Sequence, residues 1–129
     1  MTRKPVLSQE APQPSGGYSQ GIVAGGFLYL AGQGPFDADG NTVGPSIAEQ
    51  VRQVLENLDA VARAAGGSLQ NAVRCGMYIS DMRHFDEMDA EYRSFFNEPM
   101  SDLPCPPTPT QAMLSFSPAF NPKFAAAAG

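Results

Sequence analysis

The sequence predicts an α+β fold, a single small sheet with two helices packed on one face. Three observations carry that expectation. Glycine-punctuated apolar stretches between Tyr18 and Ala31 read as a hairpin. A long amphipathic stripe follows from Ser46 to Ala65. An alternating stretch, Asn71 to Ser80, then leads into a second stripe ending near Phe96. The order β-β-α-β-α, with one more strand expected after Pro99, is most economically one sheet with helices on one side.

Each element has a local reason. Residues 1–16 are polar and Pro-rich apart from Val6-Leu7, and read as an extended arm able to add a brief edge strand. Tyr18 to Val23 and Phe27 to Ala31 are the hairpin strands. Gly25-Gly26 supplies the positive φ that a two-residue turn needs. The return strand FLYLA is apolar on both faces, so both faces should be covered, by helices on one side and by another subunit on the other. Phe36 to Thr42 is a turn-rich loop, tightest at Asp39-Gly40.

In the first helix the apolar residues are Ile47, Val51, Val54, Leu55, Leu58, Val61, Ala62 and Ala65, one helical face. Ser46 and Glu49 form a capping box, and Gly66-Gly67 supplies the left-handed stop. Glu49, Gln50, Arg52, Gln53, Glu56, Asn57, Asp59 and Arg63 fall on the expected wet face. Val73, Cys75, Met77 and Ile79 alternate with Arg74, Gly76 and Tyr78, as in a strand packed on that helix. Ser80 or Asp81 caps the second helix, whose stripe is Met82, Phe85, Met88, Tyr92, Phe95 and Phe96.

Bulk properties exclude several function classes. The chain has 129 residues with 43% hydrophobic content, which suits one globular domain over residues 1–129. A formal charge of −5 and a pI near 4.6 repel phosphate backbones, which argues against nucleic-acid partners. No apolar run approaches the ~20 residues of a membrane span, and the first residues lack the apolar core of a signal peptide. A reduced, cytoplasmic setting is expected. The two cysteines, Cys75 and Cys105, are too few for a disulfide framework. The one histidine, His84, has no ligand-spaced companions, so no metal site is expected. There is no phosphate-binding glycine motif.

Residues 101–129 depart from the rest. They hold Pro104, Pro106, Pro107, Pro109, Pro118 and Pro122, with no acidic residue after Asp102 and no Arg after Arg93. Only Gln111 to Phe116 has the composition of a strand. The tail either is weakly ordered or rests on a neighbour. So abrupt a change is also what an altered reading frame would produce.

Several stretches together resemble the Rid family, also called the YjgF/YER057c/UK114 or endoribonuclease L-PSP family. They are APQPSGGYSQGI (Ala11 to Ile22), FLYLAGQGPFDADG (Phe27 to Gly40), IAEQVRQVLENLDAVARAAGGSLQNAVRCGMYISDM (Ile47 to Met82) and FDEMDAEYRSFF (Phe85 to Phe96). The resemblance implies a chorismate-mutase-like fold of the Bacillus type. It also implies a homotrimer with a central barrel and clefts between subunits. The implied activity is hydrolysis of reactive enamines and imines, such as 2-iminobutanoate and 2-iminopropanoate, to 2-keto acids and ammonia, with no metal or cofactor.

Site residues follow from the resemblance position by position. Tyr18 matches the cleft tyrosine of YSQ; a strand-edge packing role stays open beside it. Gly32 matches the glycine of SGQ, with Ala31 where Ser is usual. The family's carboxylate-binding Arg falls on Pro106 or Pro109, depending on the register, and its last-strand Glu has no counterpart. Cys105 lies near a cysteine common in the family, in a different register. Arg74 is the candidate to replace the missing Arg, against a solvated or ion-paired role. Losing a charged hydrogen bond to a carboxylate costs roughly 2–5 kcal/mol, or about 30- to several-thousand-fold in affinity. The resemblance therefore implies either an impaired deaminase or a trimer that binds a 2-imino or 2-keto acid without turnover. The family's ribonuclease and translation-inhibitor labels are disfavoured by the net charge.

Overall fold

The computed structural model describes residues 2–72 and 75–96. Three strands form an antiparallel sheet in the order β1 (Lys4–Val6), β2 (Gly21–Ala24), β3 (Phe27–Leu30). The N-terminal arm thus adds its brief edge strand, with Pro5 opposite Ile22. Gly25 and Gly26 take φ of 58° and 81°, the two consecutive positive values of a tight hairpin turn. The turn sets the register, pairing Ala24 with Phe27 and Gly21 with Leu30.

Helix α1 (Ile47–Ala64) lies against this sheet at Gly21, where a side chain would meet Val61, Leu30 and Leu28 at 3.1–3.3 Å. The capping box forms as the sequence requires: the Ser46 hydroxyl accepts from the Glu49 N–H, and the Glu49 carboxylate accepts from the Ser46 N–H. The helix ends in a Schellman motif. Gly67 N–H donates to Ala62 C=O and Gly66 N–H to Arg63 C=O, both at 2.9 Å, with Gly66 at φ 89°.

Helix α2 (Phe85–Phe95) packs along α1. Met88 is wholly buried between them, and Arg52 of α1 pairs with Glu91 and reaches over the Phe95 ring. The core gathers Val51, Val54, Leu55, Val61, Leu30, Leu69, Ile79, Met88 and Phe96.

Four sequence expectations are corrected. The strand expected over 71–80 has no ladder among the described residues. Leu69–Asn71 is a 3-10 turn, and 75–80 pairs with no strand of the described residues. Cys75, Met77 and Ile79 still pack on the core, so the alternation marks burial, but a strand also needs a neighbour to pair with. β2 begins at Gly21 instead of Tyr18, because Tyr18 closes a tight turn by donating to the Gly16 carbonyl at 2.9 Å. Asp81 caps a 3-10 turn (Met82–His84) ahead of α2, which leaves Met82 exposed, outside the helical stripe. Asn57, placed on the wet face, is 1% exposed.

The two faces of β3 differ. Leu28 and Leu30 turn toward α1, while Phe27 and Tyr29 stand 58% and 48% exposed in the single chain. No helix of the described residues is long and apolar enough to cross a membrane.

Candidate functional site

The segments carrying Tyr18, Ala31 and Gly32 meet beside the sheet. Ala31 N–H donates to the Gln20 carbonyl at 3.0 Å, which extends the β2–β3 pairing past Leu30. The segments YSQ and AGQ are therefore joined at Gln20 and Ala31. Tyr18 is half-buried. Its hydroxyl faces its own loop, where the Ser15 N–H lies at 3.4 Å.

Gln20 is buried to 1% exposure and fully bonded. Its Oε1 accepts from Ser8 N–H at 2.6 Å, and its Nε2 donates to the carbonyls of Ser8 and Pro12 at 3.1 and 2.8 Å. An amide presents the same donor and acceptor as a backbone unit, so this side chain stands in for an extra strand residue along the arm. Gln13 adds bonds to the carbonyls of Ser8 and Ala11.

Past Gly32 the chain folds tightly. Phe36 N–H donates to Gly34 C=O at 2.9 Å around Pro35, a three-residue turn. A Cβ at Gly34 would lie 2.5 Å from the Phe36 ring, so any larger residue would displace that ring. From α1, Asn57 Nδ2 donates to the carbonyls of Gly34 and Phe36 at 3.4 and 2.7 Å. Val43 N–H donates to Pro35 C=O at 2.8 Å. The following loop is closed by Asp37, whose Oδ1 accepts from the N–H groups of Asp39 and Asn41 at 3.0 and 2.9 Å. The Asn41 backbone bond is the main reason the Asp37 carboxyl is held below its usual range, with slight desolvation opposing.

Other residues raised by the sequence sit elsewhere. Arg74, Cys105, Pro106 and Pro109 lie outside the described residues. His84 is exposed at the end of the 3-10 turn before α2. Among the described residues no three His, Cys, Asp or Glu side chains gather as metal ligands. Cys75 is a free thiol beside Tyr92; burial pushes the thiol up, and the hydrogen bond with Tyr92 partly opposes that. Burial likewise pushes the Tyr92 phenol up, with Cys75 adding to the shift.

Sequence reasoning missed Gln20 and Asn57. A signal for Asn57 was present: it stands three residues after Val54 and four before Val61, on the apolar stripe. For Gln20 the pattern gave none, since its partners Ser8 and Pro12 lie in an irregular arm.

What such an arrangement can do chemically is limited and specific. Glycines and backbone amides let a small polar ligand approach closely, and half-buried Tyr18 offers a hydroxyl nearby.

Comparison with known proteins places the chain. The profile of the family described as Endoribonuclease L-PSP matches residues 8–114. A RutC family protein of Pyrococcus horikoshii is 44% identical over 94 residues, covering 72% of this chain and 75% of the relative. The crystal structure of yeast Mmf1 superposes with a TM-score of 0.76 at 30% identity, over 87% of this chain and 92% of that one. Escherichia coli TdcF, solved with bound serine, superposes with a TM-score of 0.71 at 26% identity, over 85% and 91% of the two chains. With motifs, profile and fold in agreement, the chain belongs to the endoribonuclease L-PSP family, the Rid or YjgF/YER057c/UK114 family.

Proposed function

We propose that the protein assembles as a homotrimer whose intersubunit clefts take a small 2-imino or 2-keto acid, and that it hydrolyses reactive imines weakly. Water adds its oxygen to the imine carbon, the nitrogen collects protons, and the C–N bond breaks. The products are ammonia and a 2-keto acid. Tyr18, Ala31 and Gly32 form the wall, Arg74 is the candidate cation for the carboxylate, and Cys105 is a further lining candidate. No metal or cofactor is needed, because an imine carbon is electrophilic once its nitrogen is protonated.

The observation that carries this reading is the 3.0 Å bond from the Ala31 N–H to the Gln20 carbonyl, which joins the segment carrying Tyr18 to the one carrying Gly32. The serine bound to TdcF supports a small amino-acid-like ligand. Weak turnover follows from the sequence itself: no Arg follows Arg93 and no acid follows Asp102.

A second reading, a trimer that binds such a metabolite without turnover, is favoured by the same missing charges. The experiment is a coupled assay in which a pyridoxal-phosphate enzyme generates 2-aminoacrylate. Ammonia release above the buffer rate supports the enzyme; release at the buffer rate leaves binding alone. A monomer in light scattering would overturn both readings.

A further inference from the structure

We infer that Asn57 is a positioning residue for the Gly32–Phe36 segment, holding it in the shape the proposed ligand wall requires. This inference rests on the ligand reading above and adds a residue to it.

Asn57 sits on the buried stripe of α1, whose other buried members are all aliphatic. A buried amide is tolerated there only because its groups are bonded. Its bonds do not serve the helix backbone. Nδ2 spans two carbonyls of one tight turn, Gly34 at 3.4 Å and Phe36 at 2.7 Å. Carbonyls only accept, so the amide nitrogen must face the turn and Oδ1 must face away. Gln53, one helical turn earlier, donates to that Oδ1 at 2.8 Å and fixes the orientation. Gly34 C=O is shared between Asn57 and the Phe36 N–H. The turn is thus tied to a rigid helix at both ends, and Gly32 and Gln33 hang between that tie and the Gln20–Ala31 bond.

Two variants and two readouts test this. Asn57→Leu keeps a similar volume and removes both donors. Asn57→Asp keeps the shape but presents a carboxylate to two carbonyls; only its protonated form can donate. The first readout is amide hydrogen exchange at Gln33, Gly34 and Phe36, against Val23 and Leu28 in the hairpin. The second is affinity for 2-oxobutanoate. In Asn57→Leu, loss of the tie is expected to speed loop exchange by about tenfold with hairpin amides little changed, and to weaken binding by about tenfold. In Asn57→Asp, loop protection relative to wild type at the same pH is expected to return as the pH falls and the new carboxyl protonates. A space-filling residue would show no such pH profile.

Loop exchange that stays at the wild-type rate, or rises equally in loop and hairpin, overturns the inference whatever the ligand result. A loop-specific rise with unchanged binding also overturns it. Failure of the wild-type protein to bind 2-oxobutanoate sinks the ligand reading instead, and the exchange data still decide whether Asn57 ties the turn.

Discussion

Gly21 is a point of close approach between helix and sheet. A Cβ there would meet side-chain carbons of Val61, Leu30 and Leu28 at 3.1–3.3 Å, so a larger residue must push these buried neighbours aside. Gly21→Val is expected to cost about 1–3 kcal/mol, the usual penalty of overpacking, read as a lower urea midpoint with unchanged slope. Asp81 is a different case, half-buried and set by its own neighbourhood. The Arg83 side chain, then the Arg83 N–H, hold its carboxyl at about 2. A carboxyl lowered on folding contributes stability above its unfolded value near 3.8, and that contribution fades as the pH falls through about 2. Side-chain carbon chemical shifts should therefore place the Asp81 titration near 2, and Arg83→Ala should move it back toward the ordinary value. Single residues were also where the sequence was least legible. Asn and Gln are read as surface types, so Asn57 was set on the wet face. Only a partner lying far along the chain, at Gly34 and Phe36, shows why its amide is buried.

Elements whose signals are local were legible to the residue. Helix α1 starts and stops where its caps say, since both the Ser46–Glu49 box and the Gly66-Gly67 stop are formed within a few residues. Ser46→Ala removes a hydroxyl that accepts an N–H at 3.1 Å and is expected to lower stability by about 1 kcal/mol, measured by thermal or urea unfolding. The hairpin turn was legible for the same reason, since Gly25 and Gly26 both take the positive φ it uses, although its first strand starts later than expected. The 71–80 segment was not. Alternation reports which side chains are buried, and burial at Cys75, Met77 and Ile79 agrees with it. Pairing depends on a second chain segment, which period-two patterning does not contain. The α2 boundary slipped for a related reason: Asp81 does cap, but it caps a 3-10 turn, and α2 proper begins at Phe85 without a side-chain cap.

At the scale of the whole molecule, the described elements cover the sheet on one side only. Phe27 and Tyr29 form an apolar face that the single chain leaves open, next to Leu28 and Leu30 buried under α1. The trimer proposed above would bury this face, and each ring withdrawn from water contributes up to roughly 1.5–3 kcal/mol. Phe27→Glu adds a charge where that burial occurs, so the variant is expected to remain folded by circular dichroism and to run as a monomer in light scattering. A trimer of unchanged stability would show that another surface joins the subunits. The proposed site is legible at this scale only in part. Tyr18, Ala31 and Gly32 were picked out by motif, and the fold brings their segments together. Of the two buried amides beside them, Asn57 falls on the apolar stripe of α1, whereas Gln20 gives patterning nothing to read.

The Gln20 amide gives the start of the chain two distinct duties. Lys4–Val6 is an edge strand, held to β2 by backbone pairing and by the buried Val6 side chain. Ser8 to Pro12 are instead the other half of a buried polar lock, three bonds deep, whose keyhole lies two residues from Tyr18. Trimming the first six residues should fray the sheet's rim. Trimming through Pro12 would take away the partners of the Gln20 amide, two residues from Tyr18, so damage done at the far end of the chain would be felt at the proposed ligand wall.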